Sequence, residues 1–186
     1  MNLTELLDLL RPLLSGIALE PAPSTDQKTI GVPSHSIVEV CRVLREHPSL
    51  GFVFLADITA VDWWPREPRF EVVYHLASGI DRLRVKARVP GTEAHLPTVQ
   101  AVWPCANWLE REVWDLFGIV FDGHGDLRRL LMPEDWEGHP LRKDYPVQIS
   151  MKPRSAEPLQ LTEDEFRANL AADRAARSGG PAGAGS

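Results

Sequence analysis

Apolar positions at helical spacing predict two amphipathic helices near the start of the chain. The first is rich in leucine, and Asn2 followed three residues later by Glu5 is typical of a capping box. Its apolar face consists of Leu3, Leu6, Leu7, Leu10, Leu13 and Leu14. Pro33 and Ser34 open the second helix, which ends before Pro48. Its apolar face consists of Ile37, Val40, Cys41 and Leu44.

Apolar and alternating stretches predict a small β-sheet. Short strands are expected at residues 28–32 and 119–121, and a central strand at residues 52–61. A hairpin joins residues 70–76 to residues 83–89. The second hairpin strand alternates strictly, and its outward residues are Arg82, Arg84, Lys86 and Arg88. Helices packed on such a mixed or antiparallel sheet define a two-layer α+β domain.

A helix predicted at residues 107–117 carries charged side chains beside its apolar face. Residues 93–103 are expected to form a short helix that leads to it, and Gly118 tolerates the left-handed conformation that ends a helix. The apolar face consists of Leu109, Val113, Leu116 and Phe117. A second face carries Trp108, Arg111, Glu112 and Asp115.

The charges of this second face admit two interpretations. Arg111 and Asp115 can pair one turn apart, but the cation lies nearer the helix start, which is the weaker order. A solvated charged face is the simpler interpretation. The flanking tryptophans and the unfavourable position of Asp115 indicate instead a tertiary or intersubunit partner.

No periodic pattern is sustained after residue 122. Pro133, Pro140 and Pro146 remove backbone donors and bias the residues before them to extended conformations, so residues 123–158 are predicted to form an extended arm. A structureless run of this length is uncommon inside a compact domain, and we expect the arm to take its shape from a partner's surface. Residues 1–122 then form the compact domain, residues 159–177 a short terminal helix, and residues 178–186 a disordered tail.

Composition argues against several classes of protein. The net charge of -6 and the pI near 5.5 do not suit nucleic-acid binding, which requires a basic surface. Cys41 and Cys105 are the two cysteines, and they lie too far apart in sequence for a zinc site or an iron–sulfur cluster built from this chain's thiolates alone. Without a signal peptide or a membrane-spanning apolar run, we expect a soluble, unexported chain.

Catalysis and metal binding are two further interpretations of the charged residues. Glu110, Glu112 and Asp115 could act as general acid and base, but they lie on different sides of the helix, and no nucleophile or cofactor fingerprint accompanies them. The candidate metal ligands are His124, Asp126, Asp135 and His139. Their spacing is irregular, which favours structural histidines. We therefore expect no active site and no metal in this chain.

Two blocks of sequence resemble the signature of a known family. The first block consists of Glu110-Arg111-Glu112, Asp115-Leu116-Phe117, His124, Arg128 and Leu130-Leu131. The second block runs Glu137-Gly-His-Pro-Leu-Arg-Lys-Asp-Tyr-Pro146. In this order they resemble the small peripheral-arm subunit of respiratory NADH:quinone oxidoreductase (complex I), called the C subunit in bacteria. The similar region extends from about Asn2 to Pro146. This chain has Gly125 where the family usually has proline, which leaves the geometry of that turn open.

The resemblance implies a non-catalytic subunit of an electron-transferring translocase. Such a subunit lies in the hydrophilic arm, on the cytoplasmic side of the bacterial inner membrane, and clasps the large quinone-site subunit. NADH and quinone are then substrates of the whole complex, and FMN and the iron–sulfur clusters belong to other subunits. This chain would bind no cofactor and would meet the membrane only through its neighbours.

The predicted partner interface combines the polar helix face with the arm. Trp136, His139 and Tyr145 would act as anchors, and the arginines and lysine of the arm as donors of charge-assisted hydrogen bonds. The full set is Glu110, Arg111, Glu112, Asp115, His124, Arg128, Arg129, Trp136, His139, Arg142, Lys143, Asp144 and Tyr145. Two alternatives stay open: the equivalent subunit of an energy-converting membrane hydrogenase or ferredoxin-fed complex, and a free-standing protein-binding module.

Overall fold

Two units make up the chain in the computed structural model, which describes residues 2–79, 81–146 and 166–172. The boundary between the units falls after Tyr145. The helices of the first unit are α1 (Leu3–Leu13), α2 (Ile37–Glu46) and α3 (Ala106–Phe117). Its strands are β1 (Glu20–Pro21), β2 (Lys28–Val32), β3 (Phe54–Asp62), β4 (Phe70–Ala77), β5 (Arg82–Val89), β6 (His95–Pro97) and β7 (Val120–Asp122).

The helices α1 and α2 lie where the apolar spacing predicts them. Asn2 caps α1: its side-chain oxygen accepts from the backbone N–H of Glu5 at 2.8 Å, and the Glu5 carboxylate accepts from the backbone N–H of Asn2 at 2.9 Å. A short 3-10 turn, Ser34–Ser36, precedes α2. The two helices bury Leu6, Leu7, Leu10, Ile37, Val40, Cys41 and Leu44 in the core.

A five-stranded mixed sheet forms the second layer of this unit, which confirms the predicted α+β fold. The strand order is β1-β2-β5-β4-β3, with β2 parallel to β5 and the other neighbours antiparallel. Ile30, Val85 and Tyr74 are aligned across three strands and are all buried. Along β5 the buried residues alternate with more exposed cationic ones, as the sequence predicts.

The strand β3 lies at the edge of this sheet, so the prediction of a central strand is wrong. Helix α3 packs against it. At the start of the strand, the indole N–H of Trp103 donates to the carbonyl of Val53 at 3.1 Å. An edge strand covered in this way is apolar for the same reason that a central strand is. The residue pattern therefore does not distinguish the two positions.

Residues 93–103, predicted as a helix, contain the strand β6 instead. It pairs in parallel with β7, which places His95 opposite Val120 and Pro97 opposite Asp122. The prediction is wrong because this pairing joins residues on either side of α3, and because proline disfavours the interior of a helix. The pairing brings the two ends of α3 to one small sheet and so fixes the direction of the helix.

The second unit is described over residues 166–172, which are helical. Phe166 and Leu170 are both exposed on this helix. The predicted terminal helix, residues 159–177, is therefore described only in this part. The predicted linker after residue 146 and the tail 178–186 lie outside the described residues.

Candidate functional site

The helix α3 carries charged side chains that are buried rather than solvated. Glu110 and Asp115 are 0% exposed, and Arg111 is 5% exposed. The element that covers them is the arm, described here over residues 123–145, which returns along the helix. Gly118 makes this return possible: its φ is +73°, and a side chain at this position would collide with the side chains that follow it in the arm.

Asp115 binds the backbone of the arm. Its Oδ2 accepts hydrogen bonds from the N–H groups of Leu130, Leu131 and Met132 at 3.0, 2.7 and 2.9 Å. Its Oδ1 accepts from Nη1 of Arg129 at 2.8 Å. Burial raises the pKa of Asp115, but these four donors outweigh burial and hold that pKa below its ordinary value. Asp115 is therefore an ionised anchor for this stretch of the arm.

Arg129 links the helix to a second point of the arm. In addition to the carboxylate of Asp115, its Nη1 binds the carbonyl of the same residue at 3.0 Å. Its Nη2 donates to the carbonyls of Trp136 and Gly138 at 2.8 and 2.9 Å. The guanidinium also lies 5.5 Å from the ring centre of Trp114. One planar cation thus closes the loop between residues 129 and 138.

Arg111 binds the arm and does not pair with Asp115, so the pairing considered from sequence is wrong. Its Nε and Nη2 donate to the carbonyls of Arg128 and Arg129 at 3.3 and 3.1 Å. Its guanidinium lies 4.9 Å from the ring centre of Trp108. The arm amides and Arg129 supply Asp115 with better geometry than a reversed pair along the helix would.

Glu110 is bound by the segment that precedes α3. The hydroxyl of Thr98 donates to its Oε2, and the N–H of Val99 donates to its Oε1 at 2.7 Å. The side chain of His124, also 0% exposed, places Nε2 4.0 Å from Oε2 and 3.2 Å from the carbonyl of Asn107. Burial raises the pKa of Glu110 to about 7, against the opposing effect of the two hydrogen bonds.

The later part of the arm binds the C-terminal end of α3. Nδ1 of His139 donates to the carbonyl of Asp115 at 3.0 Å, and Nε of Arg142 donates to the carbonyl of Phe117. These carbonyls belong to the last turn, where a helix has no partners of its own for them. Burial is the main cause that lowers the pKa of His139, which keeps the ring neutral at pH 7.

A second polar cluster fastens the arm to the sheet. Arg69 donates to both oxygens of Asp62 at 3.0 and 2.8 Å, and to both oxygens of Asp144 at 2.9 and 2.6 Å. Asp62 also accepts from the N–H groups of Lys143 and Trp64, each at 2.9 Å. Burial raises the pKa of Asp62, but these donors outweigh it and lower the pKa to about 2. We call Asp62, Arg69 and Asp144 the arm latch.

Apolar side chains remain on the outside of this arrangement. Trp108, Leu131 and Leu141 are 59%, 60% and 51% exposed. The exposed Arg128 pairs with Asp126 at 2.9 Å. No residue of the arm between 123 and 145 is fully buried. The arm therefore lies on the surface of its own unit, with many of its polar groups directed to α3 and part of its apolar surface open to solvent.

The structure divides the predicted interface residues into two groups. The first group binds this chain itself and consists of Glu110, Arg111, Asp115, His124, Arg129, His139 and Arg142. For the buried Glu110, Arg111 and Asp115, the prediction of direct partner contact is wrong, because the first unit itself covers them. The prediction that the arm takes its shape from a partner is wrong over residues 123–145 for the same reason.

The second group keeps side-chain surface open to solvent and stays predicted as partner interface. It consists of Glu112, Arg128, Trp136, Lys143, Asp144 and Tyr145. Tyr145 donates its hydroxyl to the carbonyl of Glu137 at 2.9 Å, which fixes the ring on the arm. Trp136 is half-buried, and its indole N–H has no hydrogen-bond partner among the described residues.

Sequence reasoning missed three residues that this site uses: Asp62, Arg69 and Thr98. Opposite charges at the two ends of one turn were a signal for Asp62 and Arg69, which close the β3–β4 hairpin. Asp144 lies 75 residues after Arg69, and no local pattern connects them. Thr98 meets Glu110 only because β6 and β7 pair.

The chemistry available to the site is hydrogen bonding and proton exchange. Within the described ranges, no group of three or more histidine, cysteine, aspartate or glutamate residues is arranged to hold a metal ion. No helix in the described part of the chain has the length and apolar character needed to span a bilayer. Among the buried groups of α3, Glu110 has a pKa close to neutral pH.

Fold and site together define an α+β protein whose buried helical charges hold a surface arm. The chain belongs to the family described as respiratory-chain NADH dehydrogenase, 30 Kd subunit, whose model matches residues 30–150. One curated relative, from Rhizobium meliloti (strain 1021), is the second C subunit of a NADH-quinone oxidoreductase. It is 50% identical over 143 residues, which cover 74% of this chain and 78% of the relative. The family indicated by the two sequence blocks is thus confirmed.

Two solved structures are similar to this chain. A trypsin-resistant fragment of Nqo5 has a TM-score of 0.54 and 38% identity, and the match covers 68% of this chain and 100% of that one. A membrane-bound sulfane sulfur reductase, an archaeal respiratory membrane complex, has a TM-score of 0.64 and 29% identity over 77% of this chain and 85% of that one. At Gly125, where the family usually has proline, a Cβ would meet no atom within 4 Å.

Proposed function

We propose that this chain is a non-catalytic, peripheral-arm subunit of a proton-translocating NADH-quinone oxidoreductase, in which it clasps the large quinone-site subunit. Membership of the family and the relatives that are C subunits of NADH-quinone oxidoreductases support this role. On this proposal NADH and quinone are substrates of the whole complex. FMN and the iron–sulfur clusters are held by other subunits, and this chain lies on the cytoplasmic side of the membrane.

One observation carries the clasping role: the arm is already held in place while its apolar side chains stay exposed. Asp115, Arg111 and Arg129 fix its backbone, so less conformational entropy is lost when a partner binds. Trp108 and Leu131 are each more than half exposed. Exposed Trp and Leu on a rigid support are the kind of anchor that fills a pocket on a partner.

The division of labour follows from the same geometry. The buried charges of α3 act on the arm, and the arm presents its outer residues to the neighbour. The chain then supports electron transfer from NADH to quinone by holding the walls of a neighbouring site, without contacting the reacting atoms. A substitution on the outer residues should consequently change the amount of assembled complex and leave the turnover of each assembled complex unchanged.

Leu131→Glu tests the proposal in the tagged, full-length chain. Burying a leucine contributes about 1.5–3 kcal/mol, so a charge in its place should lower recovery of the large subunit from detergent-solubilised membranes by roughly tenfold or more. Leu13→Glu is the matched control, because Leu13 is a 43% exposed leucine on α1. It should leave recovery unchanged.

Three outcomes would overturn the proposal. Equal recovery with Leu131→Glu and Leu13→Glu would remove the arm from the interface. Complexes that assemble normally with Leu131→Glu but lose quinone reduction would give the chain a direct part in turnover. Recovery of hydrogenase-type or ferredoxin-fed subunits in place of an NADH-oxidising complex would assign the chain to that alternative.

A further inference from the structure

Glu110 and His124 form a buried ionisable pair that the clasping role does not use. Both side chains are 0% exposed, and Oε2 of Glu110 lies 4.0 Å from Nε2 of His124. Thr98 and Val99 each donate one hydrogen bond to the carboxyl group. Among the described residues, no lysine or arginine nitrogen lies within 4.0 Å of this carboxyl group. An ionised Glu110 thus carries a negative charge with no full cation beside it.

The hydrogen bonds of His124 determine which ring nitrogen carries the proton. The N–H of Asp126 donates to Nδ1 at 3.0 Å, so Nδ1 is the unprotonated nitrogen. Nε2 therefore carries the proton and donates it to the carbonyl of Asn107. The same N–H faces Glu110. His124 lies at the start of the arm, and its bond to Asp126 holds the first turn of the arm.

Titratable groups from two further elements lie close enough to sense Glu110. Cys41 of α2 and Tyr74 of β4 are fully buried, and burial is the main cause that raises the pKa of each. The negative charge of Glu110 raises both pKa values further. Both groups are therefore neutral near pH 7, which leaves Glu110 and His124 as the pair that can exchange a proton there. The Tyr74 hydroxyl has no hydrogen-bond partner among the described residues.

We propose that Glu110 is a proton-binding site and that the bound proton controls how firmly His124 holds the first turn of the arm. When Glu110 is ionised, its charge attracts the N–H at Nε2 and fixes the ring tautomer whose Nδ1 accepts from Asp126. When the carboxylate takes a proton from water and becomes a carboxylic acid, this attraction is lost. The ligand of the site is a proton, and the element that responds is the turn at residues 124–126.

The hydrogen bonds around Glu110 are consistent with both states. In the ionised state each carboxylate oxygen has one donor, Thr98 or Val99. In the protonated state the Thr98 hydroxyl can rotate and accept from the new O–H, because a hydroxyl is both donor and acceptor. The site can therefore exchange a proton without displacing α3.

Carbon-13 NMR of the full chain, with labelled glutamate carboxyl groups, tests the proton site. One glutamate signal should titrate near neutral pH, and it should be missing from Glu110→Gln. Glu112→Gln, a half-buried glutamate on the same helix, is the matched control and should retain the signal. Thr98→Val removes a donor to the carboxylate, so the midpoint should rise by about one to two pH units. A Glu110 signal that titrates only below pH 5 would overturn the proposal.

Nitrogen-15 spectra of the His124 ring test the response of the arm. The Nε2 signal should shift at the same midpoint as Glu110, with Nε2 protonated and Nδ1 unprotonated throughout. In Glu110→Gln this shift should be absent. A ring that does not respond while Glu110 titrates would overturn the link to the arm. A ring in which both nitrogens become protonated at this midpoint would place the proton on His124, and would likewise overturn the proposal.

Discussion

A buried carboxylate is stable only where donors surround it, and Asp115 has four of them, three from consecutive backbone amides. Asp115→Asn removes the negative charge and leaves an amide N–H against the guanidinium of Arg129. We expect the free energy of unfolding to fall by about 3 kcal/mol, because one partner of a buried ion pair loses its counter-charge. Urea unfolding measures this loss.

The same substitution should also loosen the arm locally. Limited digestion with trypsin is expected to cleave Asp115→Asn after Arg128 or Arg129 much faster than the parent chain, because the three arm amides lose their acceptor. Glu112→Gln provides the comparison, since Glu112 has no hydrogen bond or ion pair to other described residues. If the two variants were cleaved equally fast, Asp115 would not be what holds the arm.

Single residues also show where prediction from sequence stops. The position of Asp115 near the negative end of its helix indicates a partner, and the structure supplies one. The nature of the partner is not predictable, because backbone N–H groups have no signature in a sequence. For this reason the sequence pattern places Glu110, Arg111 and Asp115 on an intersubunit surface, whereas the first unit itself covers them.

The arm latch sets the position of the arm against the sheet at the scale of elements. In Asp144→Asn the exposed half of the latch loses its charge, and a solvent-exposed pair contributes about 1 kcal/mol or less. In Arg69→Met the buried Asp62 loses its cation, which should cost about 3 kcal/mol or more. Urea unfolding of both variants should therefore rank Arg69→Met as the less stable.

Hydrogen exchange at the Lys143 amide gives a local check on the latch. This amide donates to Asp62, so it should remain protected in Asp144→Asn and lose much of its protection in Arg69→Met. An Arg69→Met chain as stable as Asp144→Asn, with the Lys143 amide still protected, would show that the latch does not hold the arm.

Elements are predictable where local pattern alone determines them. The helix α1, the strand β2 and the alternation of β5 follow from spacing and capping, and each is found as expected. The strand β6 resembles a helix in sequence because it is a strand only through pairing with β7. The edge position of β3 depends on where α3 packs, which the sequence of the strand does not contain.

The family signature has a structural explanation at the scale of the whole molecule. Its first block identifies the family, yet Asp115, His124 and the backbone at residues 130–131 bind other parts of the same unit. The motif thus marks the means by which this fold holds its arm. The interface itself, which the resemblance leads us to expect in these residues, remains a proposal for the outer residues of the arm.

Two sets of groups give the stability of the whole chain opposite dependences on pH. The pKa of Glu110 is raised from 4.5 to about 7, so its contribution is fully present below pH 4.5 and is lost as the pH rises through 7. The pKa of Asp62 is lowered from 3.8 to about 2, so its contribution is present above pH 3.8 and is lost as the pH falls through 2. His139, whose pKa burial lowers, also titrates in the neutral window.

Comparison with Glu110→Gln isolates the contribution of Glu110. The shift corresponds to roughly 3 kcal/mol, so the variant should gain about that much relative to the parent chain between pH 4.5 and pH 8. Urea unfolding of both chains at the two pH values measures this change, and Glu112→Gln should follow the parent. A constant difference between parent and Glu110→Gln would mean that Glu110 ionises equally well in the folded and unfolded chain. The fold would then bury this carboxylate without any linkage between the proton and its stability.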